Sequence, residues 1–481
     1  MKLHLNHLCR RSVVLLLMCL CPSAAQAADL PEAISRAAQS LGLPDSTISI
    51  WVASVTGSEP ILSFNSDIPR NPASTLKVVT TYAALEGLGP AYTWKTRVYL
   101  DEMDRNGRVP GDLWIRGGGD PYFVTEEFWK LAQGLRSRGV TRIEGDLVFD
   151  NSFFDIPAED RGAFDSQPDR VYNVPPHPML VNFNAVRFRV MPTEDGRSVN
   201  VSANPPLPNL ELSNRLKLRS YPCQGYQRGV AVAVTDTVSS RDRVLLEGRF
   251  PSGCSEYSLT RTVLQPESYA YGLFDLYWRQ LGGELKGSWR AQPLPEDDLK
   301  PFYVHQSRPL GDLIRLVNKY SNNVMTRHLE LTLGAQLYGA PATIDKGRRA
   351  IYEVLQRQGV DTERLRIDNS AGLSRDTRIS VRQLGEVLAA AWRSNFMPEF
   401  VSSLSLAGLD GTTRNRFQSR NTRGRMHLKT GRLDDVSGIT GYVTADSGAR
   451  YAVAVLINGP DAHRGLGEDL QEVVLDWVLA Q

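Results

Sequence analysis

A serine and a lysine three positions apart are the residues best suited to chemistry in this chain of 481 residues. Ser74 and Lys77 form its only Ser-x-x-Lys motif, at the start of Ser74–Leu85, a segment whose pattern predicts a helix that stops near Gly87 and Gly89. This spacing puts both side chains on one helix face, with Cβ atoms about 5–6 Å apart. A neutral lysine amine can take the serine proton, and a helix N-terminus stabilises developing negative charge. The pair predicts nucleophilic attack on an acyl group, with a helix-capping serine beside an ordinary lysine as the alternative.

Histidine-assisted and metal-assisted hydrolysis are not indicated. The chain has neither a Gly-x-Ser-x-Gly elbow nor a His-Glu-x-x-His motif. Beyond residue 27 its histidines are scattered, and surface or packing roles account for them: His177, His305, His328, His427 and His463. The motifs therefore imply no metal and no cofactor.

Lys429, Thr430 and Gly431 form a second group that suits an acylated substrate. A cation and a hydroxyl together can bind a carboxylate, and glycine lets a ligand backbone approach closely. The group lies just before a predicted hairpin of Gly438–Ala445 and Tyr451–Ile457, so we expect it on a strand or at the start of one. A polar strand end at the surface is the alternative.

Ser321 and Asn323 are selected by position rather than by residue type, because Ser-x-Asn triplets recur elsewhere in the chain. This triplet lies between two predicted helices, Leu310–Lys319 and Val324–Leu337, after the first motif and before the third. Its place predicts a connection that brings polar side chains to the same site.

The elements that must position these motifs predict an α/β (α+β) protein with an antiparallel sheet covered by helices. Residues 28–92 and 264–481 supply strands, helices and a final hairpin, and we expect them to form one domain. Short β-type runs with one clear helix fill residues 93–263, which predicts an inserted β-rich module with two nested subdomains.

Residues 1–27 are typical of a secretory signal peptide. A basic start with Lys2, Arg10 and Arg11 precedes an apolar run and the small-residue site Ala25-Gln26-Ala27. The apolar run is shorter than a membrane span, so we expect no stable membrane anchor. The whole chain has 55 basic and 53 acidic residues, and the leader holds three of the basic ones. The remainder is close to neutral, and we expect no nucleic-acid partner.

The two cysteines beyond the leader are Cys223 and Cys254. In an exported chain a pair of cysteines predicts one disulfide, with two buried free thiols as the alternative.

The motifs in this order resemble the D-alanyl-D-alanine carboxypeptidase/endopeptidase family of the penicillin-binding protein 4 type, the low-molecular-mass class C group. The likeness rests on Pro72 to Lys77, the long insert, Gly117 to Pro121, the loop Gly372 to Arg375, and Lys429 to Gly431. The resemblance implies a β-lactamase/transpeptidase-like fold and a serine D,D-peptidase that cleaves D-Ala-D-Ala or D-Ala–diamino-acid bonds of peptidoglycan.

Roles in catalysis follow from the same resemblance. Ser74 is expected to be the nucleophile, activated by Lys77 or through a relay by Ser321. Ser321 and Asn323 are expected to pass the proton to the leaving amine and to hold the substrate amide.

Substrate binding is the expected role of the third motif and its neighbour. Lys429, Thr430 and Gly431 are expected to bind the terminal carboxylate side of the substrate. Arg432 stands where the family usually has a small hydroxyl residue. It would still offer its backbone N–H to the oxyanion, while its effect on substrate preference is open. Asp165 is the candidate acid of the insert that faces a diamino-acid side chain, with an exposed loop aspartate as the alternative.

The resemblance also implies partners and a location. Peptidoglycan stem peptides are the expected substrates, β-lactams the expected covalent inhibitors, and the periplasm the expected compartment. A homo-oligomer and proteins of the wall machinery are left open as partners. The alternative functions are a catalytically weak scaffold of the wall machinery, or a β-lactamase or esterase of the same fold.

Overall fold

The structure is a computed structural model that describes residues 29–57, 59–224, 229–238, 241–295 and 299–481. The predicted signal peptide, residues 1–27, lies outside these ranges. The described residues form the α-helices α1 (Glu32–Ser40), α2 (Lys77–Leu88), α3 (Thr125–Arg136), α4 (Pro266–Gln280), α5 (Leu310–Tyr320), α6 (Asn323–Tyr338), α7 (Ile344–Arg357), α8 (Val381–Arg393), α9 (Met397–Ser403) and α10 (Leu466–Leu479).

Twenty β-strands are found in the same described ranges. They are β1 (Ile48–Ser54), β2 (Pro60–Phe64), β3 (Lys95–Tyr99), β4 (Arg108–Val109), β5 (Leu113–Arg116), β6 (Arg142–Ile143), β7 (Leu147–Asp150), β8 (Val186–Pro192), β9 (Val199–Asn204), β10 (Leu210–Arg219), β11 (Val230–Val238), β12 (Arg241–Pro251), β13 (Tyr257–Arg261), β14 (Glu284–Leu285), β15 (Trp289–Ala291), β16 (Tyr303–Gln306), β17 (Ser405–Leu406), β18 (Met426–Leu433), β19 (Val436–Thr444) and β20 (Arg450–Asn458).

A six-stranded sheet joins the two ends of the described chain in the order β17-β18-β19-β20-β1-β2. Every pair in it is antiparallel, and β1 lies against β20 with Ile48 opposite Ile457. The predicted hairpin of Gly438–Ala445 and Tyr451–Ile457 is the pair β19-β20 and is confirmed, and β1 and β2 form a second hairpin before the insert.

This sheet is buried on both faces because its strands alternate between two apolar cores. Ile48 and Ile50 of β1 contribute to the core with α1 and α10, whereas Trp51 and Ala53 contribute to the core with α2 and α5 to α8. Successive strand residues point to opposite faces, so one strand serves both layers. The result is a helix–sheet–helix sandwich, and the predicted α/β class is confirmed.

Four smaller sheets lie between β2 and α5 in the chain. Their orders are β15-β7-β5-β3-β16, β10-β12-β11, β13-β8-β9 and β14-β6-β4. They share a third apolar core, in which Phe274 and Trp278 of α4 are buried.

Two strands that follow the domain boundary predicted at residues 263 and 264 pair with strands that precede it. Strands β15 and β16 come after that boundary, yet β15 pairs with β7 and β16 pairs with β3. Helix α4 also packs in the core of the four smaller sheets. Local sequence patterns do not reveal distant pairing partners. The helical pattern of α4 therefore does not show that the segment as far as Gln306 pairs with strands of the insert. The division into domains itself stays a prediction.

Two further features bear on the expectations from the sequence. Cys223 and Cys254 form a disulfide with Cα atoms 4.8 Å apart, which is the pairing expected from the sequence. Within the described ranges, helices that combine the length and apolar character of a membrane span are absent.

Candidate active site

Ser74 lies in a tight 3-10 turn, Ala73–Leu76, that leads into α2. The α-helix begins at Lys77 rather than at Ser74, so the predicted helix start is three residues too early. Ala73 has a φ of +46°, a left-handed conformation that costs energy for a residue with a Cβ. The conformation is held because Ala73 N donates to Asn71 Oδ1 at 2.9 Å, while Asn71 Nδ2 donates to Ser374 O at 2.8 Å.

Lys77 is completely buried directly behind Ser74. Its Nζ lies 2.9 Å from Ser74 Oγ, 2.7 Å from Asn323 Oδ1 and 2.6 Å from Ala371 O. Burial, helped by the nearby charge of Lys429, holds the Lys77 pKa well below its usual value. A neutral amine fits these three neighbours, because two N–H groups serve the two carbonyl oxygens and the lone pair is left for the serine hydroxyl.

The loop that supplies Ala371 O is tied to the turn of Ser74. Gly372 has a φ of +75°, and a Cβ at that position would overlap Ala73 O. Ala371 N donates to Asn369 Oδ1 at 2.9 Å, which orients the peptide. Sequence reasoning missed Ala371, because a backbone carbonyl carries no signal in residue type. The positive φ of Gly372 is the one local sign of this close approach.

The connection between α5 and α6 presents its polar side chains to Lys77 and Lys429. Ser321 ends α5 in the left-handed region at φ +56°, and Asn322 caps α6 by accepting from Met325 N at 3.0 Å. Asn323 accepts from Lys77 at 2.7 Å and donates to Tyr172 O at 3.4 Å. The end of α5 and the start of α6 thus bring both Ser321 and Asn323 into the site, as the sequence predicts.

Lys429 is also completely buried, on β18. Its Nζ donates to Ser321 Oγ at 2.9 Å and to Thr430 O at 2.6 Å. Burial lowers the pKa of Lys429 to about 7. Thr430 Oγ1 donates to Thr412 Oγ1 at 2.8 Å, a neighbour that the sequence did not indicate.

Strand β18 approaches the turn of Ser74 so closely that only glycine fits. A Cβ on Gly431 would lie 2.6 Å from Pro72 O and 3.0 Å from Ser74 N. The pairing of β17 with β18 ends at Leu428, so the next residues of β18 form an edge beside Ser74. A substrate can therefore lie along this edge within reach of two backbone N–H groups, those of Ser74 and Arg432.

A cavity of about 270 Å³ opens between these elements. Ser74, Ser321, Thr430 and Gly431 from the predicted motifs line it, together with Arg432. Its remaining lining comes from residues that the sequence did not single out: Thr412, Arg416, Ser437, Gly438, Glu468 and Gln471.

Asp165 is not brought to this cavity. Tyr172 Oη donates to Asp165 at 2.6 Å and Asn173 Nδ2 donates to it at 2.9 Å. Partial burial acts to raise the Asp165 pKa, but these hydrogen bonds outweigh it and the pKa is lowered. Tyr172 and Asn173, but not Asp165, line a second cavity of about 310 Å³ that Asn323 also borders.

The site lies within a segment that matches a known protein family. Residues 30–476 match the D-Ala-D-Ala carboxypeptidase 3 (S13) family. The chain belongs to this family. The family predicted from the motifs is thereby confirmed, and a serine-type D-Ala-D-Ala carboxypeptidase is the enzyme class that it shows. The scaffold, β-lactamase and esterase alternatives are not favoured.

Two curated relatives extend over most of the chain. A D-alanyl-D-alanine carboxypeptidase of Actinomadura sp. is 26% identical over 453 residues, which cover 91% of this chain and 82% of the relative. The D-alanyl-D-alanine carboxypeptidase DacB of Haemophilus influenzae is 24% identical over 421 residues, 87% of this chain and 86% of its own length.

Solved structures share the fold of this family member. Penicillin binding protein 4 (dacB) of Haemophilus influenzae superposes with a TM-score of 0.79 at 23% identity, covering 93% of this chain and 99% of that one. A predatory peptidoglycan endopeptidase of Bdellovibrio bacteriovorus gives a TM-score of 0.51 at 16% identity, covering 89% and 92%. The predicted transpeptidase-like fold with an insert is thus confirmed.

Proposed function

We propose that the chain cleaves D-Ala-D-Ala bonds and D-Ala–diamino-acid cross-links of peptidoglycan through an acyl-enzyme on Ser74. The observation that carries the proposal is the 2.9 Å contact between Ser74 Oγ and the buried Lys77 Nζ. Burial holds the Lys77 pKa well below its usual value and so favours the neutral amine, and a neutral amine beside a hydroxyl can act as a general base.

Acylation begins when Ser74 Oγ attacks the carbonyl carbon of the D-alanine on the acyl side. The hydroxyl proton passes to Lys77 Nζ, whose lone pair faces Ser74 while its own N–H groups remain on Asn323 and Ala371. Direct transfer is favoured over a relay, since Ser321 Oγ is 2.9 Å from Lys429 Nζ and accepts from that group.

The negative charge that forms on the carbonyl oxygen is held by backbone N–H groups of Ser74 and Arg432. The steric limit at Gly431 supports this assignment, because it brings the β18 backbone against the turn of Ser74. Loss of one such donor typically costs about 2.7–4 kcal/mol of transition-state stabilisation. A side-chain change at position 432 leaves its N–H in place.

Lys429 and Thr430 bind the carboxylate next to the scissile bond on the leaving-group side. As the C–N bond breaks, Ser321 donates its hydroxyl proton to the leaving amine and takes one from Lys429 in exchange. Water then attacks the Ser74 ester: its hydroxyl bonds to the acyl carbon and its proton returns through Ser321 to Lys429, while Lys77 gives its proton back to Ser74 Oγ as the ester bond breaks. The products are a peptide that ends in a new carboxylate and a free Ser74.

β-Lactams are proposed as covalent inhibitors of the same serine. Attack by Ser74 opens the lactam ring, but the amine stays tethered to the acyl group and remains over the site, where it obstructs water. The fold is shared with the Haemophilus influenzae penicillin binding protein 4, which has been solved in a complex with a β-lactam. Lys77 and Lys429 would serve acylation by a lactam as they serve acylation by a peptide.

Compartment, domain limits and the role of Asp165 are further parts of the proposal. A peptidoglycan substrate fits a periplasmic enzyme exported by residues 1–27. The pairing of β15 and β16 supports an inserted module that extends to about Gln306. Asp165 is proposed to act on a diamino-acid side chain through Tyr172 and Asn173, which it holds in the wall of the second cavity. Oligomers and wall-machinery partners stay predictions.

The test is covalent labelling of Ser74→Ala by a fluorescent penicillin, paired with chromatography of digested peptidoglycan. We expect Ser74→Ala to lose both the label and the release of D-alanine or cross-linked products. Ser437→Ala removes another hydroxyl from the same cavity and should keep the label. Persistence of the label on Ser74→Ala would reject the assignment of the nucleophile.

A further inference from the structure

The cavity of Ser74 has a second polar part that the proposed reaction leaves unused. Arg416, Arg432, Ser437, Glu468 and Gln471 line this part, and none of their side chains takes part in acylation as proposed. Because it is continuous with the space beside Ser74, whatever lies there is attached to the substrate or displaced by it.

Strand register fixes which way the Arg432 side chain projects. Arg432 lies opposite Ser437 in the antiparallel pair of β18 and β19, so the two side chains share one face of the sheet. Ser437 accepts from Gln471 Nε2 at 2.9 Å, which identifies that face as the one covered by α10. Thr430, two residues before Arg432, lies on the same face.

The two arginines of this region differ in how far their charge is already used. Arg416 is nearly buried, and its guanidinium contacts Glu472 at 3.3 Å and Gln471 at 3.2 Å. It also lies 3.9 Å from Glu468, so the carboxylate that lines the cavity pairs with Arg416. Arg432 is exposed, and no carboxylate pairs with it among the residues that the structure describes. The charge available to a ligand is therefore that of Arg432.

A guanidinium with no protein partner, placed beside a substrate site, points to a carboxylate as its ligand. Arginine presents parallel N–H groups that match the two oxygens of a carboxylate. The carboxylate adjacent to the scissile bond already has Thr430 and Lys429 as its proposed partners. The longer side chain of Arg432 carries its charge farther from the strand than the Thr430 hydroxyl, toward a more distant group.

We propose that Arg432 binds a second carboxylate on the leaving-group peptide and so makes the enzyme favour cross-links over terminal D-alanine. The inference rests on the proposed function. A terminal D-alanine leaving group has a single carboxylate, whereas the leaving group of a cross-link is a peptide with several. Arg432 is in this view a specificity-determining residue for an acidic, extended leaving group.

The experiment compares two purified muropeptides as substrates of the full chain: a monomer ending in D-Ala-D-Ala and a dimer joined through D-Ala and a diamino acid. We expect Arg432→Ser to lower kcat/KM for the dimer roughly tenfold, mainly through KM, and to change the monomer less than about twofold. Arg432→Lys should recover part of the loss, since it keeps the charge but not the paired N–H groups.

Controls separate charge from shape. Arg420→Ser removes another exposed arginine that does not line the cavity, and it should leave both substrates unaffected. A dimer whose distal leaving-group carboxylates are amidated keeps its length but not its charge, so Arg432→Ser should no longer matter for it. Added salt should reduce the advantage of the wild-type chain on the charged dimer.

Two results would overturn the inference. An equal loss on monomer and dimer would mean that Arg432 binds the carboxylate that both substrates share, and no loss on the dimer would mean that it binds neither. Penicillin labelling separates this failure from failure of the proposed function, because it reports Ser74 and not the leaving group. A wild-type chain that cleaves neither substrate while Ser74→Ala keeps its label would reject the function itself, and the inference with it.

Discussion

Buried lysines occur in two regions of the catalytic sandwich, and the chain surrounds them differently. Beneath Ser74, Lys77 and Lys429 contact only hydroxyl and carbonyl oxygens within the described structure. At the end of α5, Lys319 is nearly as buried, but its Nζ lies 2.7 Å from Asp410 and 2.7 Å from Leu404 O.

The difference shows how a buried lysine can serve either as a base or as the cation of an ion pair. A buried ammonium is costly unless a carboxylate compensates it, and Asp410 supplies that carboxylate for Lys319. Without such a partner the neutral amine is favoured, which is why burial lowers the pKa of Lys77 and of Lys429. The chain obtains a base in one region and a structural cation in the other by supplying or withholding an acid.

The largest expected effect comes from replacing Lys77 by methionine, which keeps the length of the side chain without the amine. We expect acylation by penicillin to slow roughly 1,000-fold, because the general base is gone. Thermal stability should change little, since the variant loses a costly buried amine along with its hydrogen bonds. Stopped-flow or gel-based labelling rates and melting temperatures measure the two quantities.

Lys319→Met provides the matched opposite result. It leaves Asp410 without its cation, and because Asp410 is partly exposed we expect a loss of only about 1–2 kcal/mol in unfolding free energy. Labelling should slow far less than in Lys77→Met. If both variants lost stability but kept their labelling rate, the assignment of Lys77 as a base and Lys319 as a structural cation would be wrong.

The next largest effect is expected from Gly372→Ala, which disturbs the support of Lys77 rather than Lys77 itself. An alanine Cβ would overlap Ala73 O and would also be strained at φ +75°. We expect the Ala371 carbonyl and the turn of Ser74 to shift apart, lowering the labelling rate roughly tenfold or more and the stability by about 2 kcal/mol.

Gly339→Ala is the control that introduces backbone strain at a positive φ without an overlap between the new Cβ and a neighbouring atom. Gly339 has a φ of +81° but no atom within 4 Å of its Cβ position. It should therefore lose only about 1 kcal/mol of stability and keep its labelling rate. Equal effects of the two substitutions on labelling would contradict a role for the contact with Ala73.

The smallest expected effect is a change in the pH profile. Lys429 has a pKa of about 7, so kcat/KM should fall above that pH as the cation that binds the substrate carboxylate loses its proton. The acid side should fall as Lys77 gains a proton. Burial is the main cause of the low Lys77 pKa and the Lys429 charge the second, so Lys429→Met should raise the Lys77 pKa.

In that variant the acid side of the profile should move to higher pH and the alkaline fall should disappear. The measurement is the pH dependence of kcat/KM for a D-Ala-D-Ala peptide. If the acid side of the profile were unchanged in Lys429→Met, the charge of Lys429 would have no effect on the Lys77 pKa.

The sequence predicts those parts of the site that depend on residue type and short spacing. Ser74 and Lys77 are three residues apart, and Lys429 and Thr430 are neighbours, so their proximity needs no knowledge of the fold. Ala371 O and Thr412 could not be predicted, because a carbonyl has no residue signature and Thr412 reaches Thr430 through a long loop.

The same limit applies to the fold. Periodicity and turn residues predict the hairpin β19-β20, whose strands are neighbours in sequence. They do not show that β16 pairs with β3 across the whole inserted module, because that choice depends on which edges remain open after folding. For this reason the boundary predicted at residues 263 and 264 rests on local patterns alone.

The pairing of β1 with β20 has a consequence for the order in which the molecule can mature. Ile48 pairs with Ile457, so the sheet that supports Ser74 cannot close until synthesis has passed Ile457. The intervening sheets depend on shorter loops and can form earlier. A nascent or truncated chain therefore has no assembled nucleophile, and hydrolytic power is acquired only in the last stage of folding.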